Sequence, residues 1–541
     1  MANRETTQGL EQVDAVVVGT GFSGIYQLHK LREQGFSAIA FETGEDVGGT
    51  WYWNCYPGAR CDSESHYYQY TFSDDLLRNW QWSERFPAGS EVQRYLSFVT
   101  DRLGLRPHIR FSRRVTSATY DASDDHWLVE TDGGDRVRAQ FCIMATGFAS
   151  KPQVPDIPGL EDFAGEWHHT ARWPHEGVDF QDRRVGVMGT GATGVQVIQQ
   201  AAPRASHLTV FQRTPIMAMP MQQRPMDDAT WQSYIDDMDN IRASMRRTFG
   251  GFTFDFDERL ATEVSAEERE ALYEELWQAG GLRFWVNNFM DLLMDERANA
   301  TAYDFLRRKV HARVKDPDMA EALCPKTPPH PFGTKRPSLE QGYFEVFNRD
   351  NVTLVDTRRT PIERVTERGI VAGGVEHPLD VLAFATGFDA VTGGLAKIDI
   401  RGRDGVGLAE RWADGPRSYL GMQAVDFPNL FWLYGPQSPS GFANGPSAIE
   451  PQVEWLTDCL VHMRREGLRR IEPTERAQED WVSMCDQAVA ETLFPKANSW
   501  YMGANIPGKP RQILLYPLGM GDYYQRCSQV AANGYEGFAL A

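Results

Sequence analysis

The sequence predicts an α/β protein with two Rossmann-like dinucleotide-binding domains and a helical insertion. Three observations carry this. VDAVVVGTGFSGIYQLHKLREQG, from Val13, reads as strand, glycine turn and helix. RRVGVMGTGATGVQVIQQAAP, from Arg183, repeats the plan about 170 residues later. Between about 221 and 330 the chain becomes amphipathic and rich in Glu, Ala and Leu.

The first unit opens with the β-branched run Val13–Val18, short and apolar as a buried parallel strand should be. Gly19, Gly21 and Gly24 follow, then Ile25, Leu28 and Leu31 at helical spacing. SAIAFET is the next strand and ends at Glu42. In the second unit the glycines are Gly189, Gly191 and Gly194, and HLTVFQRT is the following strand. RAQFCIMATGFAS (138–150) and PLDVLAFATGFDA (378–390) are each a buried strand ending in Ala-Thr-Gly-Phe. They mark where the chain leaves or re-enters a domain. FAGEWHHTARWP (163–174) reads as neither helix nor strand and joins the two units. In the insertion, DDATWQSYIDDMDNIRASMRRTF reads as amphipathic helix, and Ser265 before Glu268 resembles a capping box. The Pro-rich CPKTPPHPFGTKRP closes it, and GPQSPSGFANGPSAIEPQVEWL is a long loop entering a helix.

These signals divide the chain as follows: 1–150, first cofactor domain; 151–220, second cofactor domain with the joining stretch; 221–330, helical insertion; 331–384, return to the second domain; 385–541, return to the first, with a pocket loop.

The chain has 541 residues, 42% hydrophobic and 24% charged, with net charge −19 and pI near 5.2. That acidity argues against nucleic acid or an anionic membrane as partner. No run approaches the ~18 apolar residues of a membrane span. MANRETTQGLEQVD lacks the plan of a signal peptide. Seven scattered cysteines suit a reducing compartment, and a cytoplasmic location is expected. No obligate protein partner is suggested.

A single G-x-G-x-x-G is a weak signal. Here each copy follows a strand, opens a helix and leads to a polar residue just over 20 positions on. The glycines permit a tight turn and bring backbone N–H groups to a pyrophosphate at a helix N-terminus. Glu42 suits ribose hydroxyls, whereas Arg213 with Thr214 suits a 2′-phosphate, which a guanidinium binds bidentately. FAD is therefore expected in the first unit and NADPH in the second, the latter along Thr190, Gly191, Ala192, Thr193, Gly194, Val195 and Gln196. Gly48-Gly49-Thr50-Trp51 opens an aromatic run suited to the flavin ring, with Asp62 and Tyr68 at its far end.

Phe163, Gly165, His169, Trp173 and Pro174 match the pattern F-x-G-x-x-x-H-x-x-x-W-P. With the two cradles around it, the sequence resembles the type I Baeyer–Villiger monooxygenases (class B flavoprotein monooxygenases) from Val13 to the GYEGFAL ending. YPGARCD, HPFGTKR, FATGFDA and SWYMGANIPGKP look most like the phenylacetone monooxygenase branch.

The resemblance implies that NADPH reduces FAD, that O2 adds to give a C4a-peroxyflavin, and that this attacks a ketone to give an ester or lactone. Aryl-aliphatic or cyclic ketones are expected, with sulfoxidation as a side activity. It implies Arg336 as the catalytic arginine, oriented by Asp62, and Lys335 as a cofactor contact. The chemistry independently wants a fixed guanidinium that stabilises an oxyanion without surrendering a proton. By the same resemblance Ser23, Thr50, Trp51, Tyr52, Trp53, Tyr68 and Val115 match FAD contacts, and Arg60 and Cys61 lie beside the nicotinamide cofactor. Trp500 resembles the tryptophan that closes over NADP, Gly445 is expected to offer a helix N-terminus to the flavin, and Ser440, Gly441 and Phe442 sit where the branch shapes its substrate pocket. Cys55 departs from the family, where an arginine is expected; the change either alters cofactor contacts or is silent.

Two other enzymes share parts of this plan. A disulfide reductase also pairs FAD with NADPH, but Trp51 stands where its first cysteine belongs and Cys55 and Cys61 are spaced one residue too far. A flavin N- or S-hydroxylating monooxygenase lacks the terminal Trp173-Pro174. A non-catalytic nucleotide-binding protein would have no use for Arg336 and Asp62 beside both cradles. A metal site at His168 and His169 would need further ligands, and none is suggested, so no metal is expected. His169 and Trp173 are instead expected to couple the two domains.

Overall fold

A computed structural model of the chain describes residues 10–541. Residues 1–9, part of the polar amino-terminal stretch, lie outside it. Two separate sheets organise the molecule. The first has eight strands. β1 (Glu11–Val18) lies between β2 (Ala38–Phe41) and β6 (Arg136–Met144), parallel to both, with Val16 opposite Ile39 and Cys142. Strands buried on both faces need continuous apolar side chains, and Ala15, Val16 and Val17 have no exposure at all. β3 (Ile109–Arg110) extends the β2 edge. β4 (Val115–Asp121) and β5 (His126–Thr131) form an antiparallel meander onto β6. The carboxy-terminal part of the chain returns twice, as Asp399–Arg401 beside β4 and Leu430–Trp432 beside β6.

The second sheet is wholly parallel. β8 (Arg184–Met188) and β9 (His207–Gln212) form its first pair. Val352–Asp356 adds beside β9, and Val381–Phe384 beside β8. On the far side of Val381–Phe384 lies β7, Glu166–His169. This corrects the reading of 163–174 as irregular: its middle is an edge strand, followed by a 3-10 turn over Thr170–Arg172.

Each cradle forms as its sequence dictates. α1 (Phe22–Glu33) follows β1, and its Leu28 and Leu31 are fully buried. The helix Ala192–Ala201 follows β8 in the same way. Gly19 and Gly189 share φ of +103°, which glycine adopts without steric cost. A Cβ on Gly24 would lie 1.9 Å from the Gly19 carbonyl oxygen, and one on Gly194 would lie 2.1 Å from that of Gly189.

The insertion is helical, but DDATWQSYIDDMDNIRASMRRTF forms two helices, Asp228–Asp236 and Met238–Met245, broken at Asp237. Ser265 caps Ala266–Ala279 with a reciprocal bond to Glu268, as its spacing suggested. The long Gly/Pro/Ser loop leads into the 22-residue helix Gly445–Glu466.

The chain crosses between the sheets twice, and the crossings lie against each other. Gln153 N–H donates to Gly387 O at 2.9 Å, Asp389 N–H donates to Lys151 O at 2.9 Å, and the Thr386 hydroxyl donates to Gln153 O at 2.5 Å. No helix among the described residues is long and apolar enough to cross a membrane.

Candidate active site

A cavity of about 660 Å³ opens over the C-terminal ends of β1, β2 and β6. The carboxyl edge of a parallel sheet is where such folds bind nucleotides. Gly19, Gly21 and Ser23 line it from the first cradle, and Glu42 from the end of β2. The Glu42 carboxylate accepts from Thr20 N, the Thr20 hydroxyl and Gly44 N, each at 2.8 Å, which fixes it without exhausting its lone pairs. α2 (Thr50–Trp53) supplies Thr50, Trp51 and Trp53 to the wall. Gly49, with φ +52°, packs so close to the cradle that a Cβ would sit 2.8 Å from the Gly21 Cα. Tyr68 closes this side: its hydroxyl accepts from Trp51 Nε1 at 3.2 Å and the two rings meet edge to face. Val115, at the start of β4, also lines the cavity. Gly24 and Tyr52 stand behind the wall, Gly24 against the Gly19 carbonyl and Tyr52 with its hydroxyl accepting from Glu45 N at 3.1 Å.

Arg336 and Asp62 come together across 274 residues. Arg336 Nε donates to Asp62 Oδ2 at 2.6 Å and Nη2 to Oδ1 at 2.9 Å, a bidentate pair. Nη1 donates to Gly441 O at 3.0 Å, and the guanidinium lies 5.7 Å from the centre of the Trp285 ring. Burial alone would lower the Arg336 pKa, but the Asp62 charge outweighs it and the pKa is raised. The guanidinium is permanently cationic at the cavity wall.

Ser440, Gly441 and Gly445 border the same cavity, and Trp500 covers it, stacked on Phe148 at 5.5 Å. A Cβ on Gly441 would lie within 3.0 Å of Leu515, Tyr501 and Trp500, so only glycine fits there. Phe442 turns away into an aromatic cluster with Phe249, Phe494 and Tyr501. Tyr434, Phe148 and Ile449 also line the cavity, and none was singled out from sequence. Phe148 carried a signal, since it ends the first Ala-Thr-Gly-Phe. Tyr434 carried none; its hydroxyl donates to Ser440 O at 2.9 Å and so shapes the loop.

The second cradle faces the first unit's Tyr56–Arg60 turn. Gln196 accepts from the Tyr56 hydroxyl at 2.8 Å and donates to Arg60 O at 2.9 Å. Thr193 lies 3.5 Å from the same hydroxyl, and the Thr190 hydroxyl donates to Thr214 O at 2.9 Å. Gly191, Ala192 and Val195 belong to the same helix start. Arg60 pairs with Glu84, and Cys61 is buried, its sulfur accepting from Ser63 N at 3.4 Å. Lys335 has its pKa lowered to about 8, first by burial and then by the charge of Arg213. Among the described residues neither cation has a carboxylate partner, which leaves both charges available to an anion.

In the fingerprint, Phe163 and Trp173 are buried, Phe163 against Gly165 and Trp173 against Phe180. A Cβ on Gly165 would meet the Asp380 carbonyl at 2.5 Å. His169 Nδ1 accepts from Ala171 N at 3.1 Å, and burial lowers its pKa to about 4, so it is neutral near pH 7. His168 faces Glu166 instead, at 3.0 Å. Cys55 is 3.3 Å from the Trp173 carbonyl, with Pro174 O next to it, at the fingerprint and not on the cavity wall.

Fold and site together define an oxidoreductase with two dinucleotide-type cradles and a fixed cation on the wall of the cavity at the first. A model of flavin-binding monooxygenase-like proteins (FMO-like) matches residues 12–223. The chain is 45% identical over 531 residues to a cyclopentanone 1,2-monooxygenase of Comamonas sp., covering 98% of this chain and 96% of that one. It is 43% identical over 533 residues to an acetone monooxygenase (methyl acetate-forming) of Gordonia sp., covering 98% and 99%. The crystal structure of OTEMO in complex with FAD and NADP superposes with a TM-score of 0.94 at 43% identity, covering 98% and 99%. The chain belongs to the type I Baeyer–Villiger monooxygenase family.

Proposed function

We propose that this protein uses FAD, NADPH and O2 to convert ketones, aryl-aliphatic or cyclic, to esters or lactones, with sulfoxidation as a side activity. The observation that carries this is the bidentate Arg336–Asp62 pair on the wall of a cavity that begins at a glycine cradle. The cavity suits FAD: its glycines leave room where any Cβ would collide with backbone, and Glu42 stands at the ribose position. Lys335 and Arg213 suit the extra phosphate of NADPH. Bound flavin, reduced by NADPH, supplies the oxygen activation. The chain supplies the rest. Arg336 offers N–H donors to negative charge on oxygen and cannot be deprotonated to quench it. Asp62 holds the guanidinium plane, Gly441 and Ala443 carbonyls fix its remaining edge, and Trp500 with Phe148 screens the site from water. Neutral His169 and buried Trp173 brace the linker between the two sheets.

We assign segments 1–150 and 385–541 to the FAD domain, and 151–220 and 331–384 to the NADP domain. Strand membership of the two sheets supports this. A cytoplasmic location is proposed on the seven free thiols. NADPH consumption across a ketone panel, with products identified, tests the activity. Arg336→Ala should keep FAD and its reduction but lose ester formation; retained ester would refute the arginine's role.

A further inference from the structure

Three cations on the cavity wall take no part in the chemistry proposed for Arg336. Arg114 precedes Val115 at the start of β4, Arg172 ends the fingerprint's 3-10 turn, and Lys397 ends the turn Leu395–Lys397. All three line the FAD cavity. Most arginines of this chain find a carboxylate, including neighbouring Arg113, which meets Asp135 at 2.9 Å. Among the described residues these three find none. Asp389, an acid whose charge acts on Lys397, is already paired with Lys151 and Lys509 at 2.8 Å each.

Neighbouring contacts tie two of their segments to the cradle. The guanidinium of Arg172 lies 4.4 Å from the centre of the Trp53 ring, at the end of α2, whose first residue follows the Gly49 packed on Gly21. A Cβ on Gly394, three residues before Lys397, would meet Ser150 Oγ at 2.2 Å and Thr146 Oγ1 at 3.6 Å; Thr146 follows Ala145, whose carbonyl would abut a Cβ on Gly19. Asp399, two residues after Lys397, pairs with Ser117, three residues after Arg114, which brings these two segments side by side. Three parts of the chain, far apart in sequence, therefore deliver like charges to one place.

Like charges held together without a counter-charge are unfavourable unless an anion joins them. Burial, then the charge of Arg114, lowers the Arg172 pKa; burial, then Arg172, Lys151 and Arg114, lowers that of Lys397. We propose that Arg114, Arg172 and Lys397 form a cationic clamp on the diphosphate of FAD, so that the fingerprint linker itself holds the flavin cofactor. This rests on the assignment of FAD to the cavity. The glycine cradle holds the diphosphate with backbone N–H groups from one side, and the clamp closes from the other. Riboflavin, which lacks the diphosphate, gains nothing from the clamp.

The test compares FAD with riboflavin. FAD release from the holoenzyme on dilution, and rebinding of FAD or riboflavin to the deflavinated enzyme, are followed by flavin fluorescence at low and high salt. Arg172→Gln and Lys397→Gln should each weaken FAD roughly tenfold, as loss of a charge-assisted hydrogen bond does. Riboflavin affinity should not change, and added salt should shrink the difference. Arg172→Lys, which keeps charge but not the guanidinium over Trp53, should retain most of the affinity. Unchanged FAD affinity in both Gln variants overturns the clamp. Equal loss of FAD and riboflavin also overturns it, since that is lost packing and not charge. Wild-type protein that binds no FAD at all would instead sink the assignment of the cavity.

Discussion

Replacing Asp62 by asparagine isolates what the carboxylate does for Arg336. The shape is kept, but one acceptor oxygen becomes an amide that faces a cation. Two hydrogen bonds between ions, at 2.6 and 2.9 Å, become one bond from the guanidinium to an uncharged amide oxygen. Such bonds contribute roughly 1.5–3 kcal/mol each. The Asp62 side chain keeps 31% exposure, so water recovers part of the loss and about 2 kcal/mol is expected. If that energy holds the guanidinium where oxygen bears charge, ester formation should slow about thirtyfold. Absorbance gives FAD content, anaerobic mixing with NADPH gives the reduction rate, and chromatography gives ester per NADPH consumed. FAD content and reduction should stay as in the wild type while the ester yield falls. Ester formation at the wild-type rate would refute the idea that Asp62 positions Arg336.

Gly24→Ala and Gly194→Ala should separate the two cofactors. The first should cost FAD content and the second should raise the KM for NADPH with FAD retained, because each Cβ meets a carbonyl about 2 Å away; the reverse pattern would exchange the cradles. His169→Ala should bind FAD yet slow reduction or turnover, and wild-type kinetics would leave the histidine a packing residue. Acid should destabilise the fold in a defined window. His66, His169 and His330 have pKa values lowered by burial from 6.5 to about 4. The unfolded chain takes up protons first as pH falls, so stability present above pH 6.5 is lost progressively down to about 4, up to about 3 kcal/mol per group. A thermal midpoint that stays flat between pH 7 and 5 would contradict this, and His330→Gln should shallow the slope.

Local signals were legible and tertiary ones were not. Strand, glycine turn and helix lie within a dozen residues, so both cradles could be read directly, and so could the Ser265–Glu268 box. β7 escaped because Glu-Trp-His-His shows no apolar alternation; it is an edge strand, held by backbone pairing to Val381–Phe384. The break at Asp237 escaped because the apolar spacing runs on through it. Trp285 beneath Arg336 escaped because it arrives from the insertion, 51 residues away. Asp62 with Arg336 was reached through resemblance, since nothing local couples positions 274 residues apart.

The paired crossings at 151–153 and 386–389 are two straps bonded side by side. A body tethered by a single strand can spin about it; a body on two bonded straps can bend in one plane but resists twisting. The second sheet is tied to the first in the latter way. A relative movement of the two sheets would then be confined to a bend at 151–153 and 386–389.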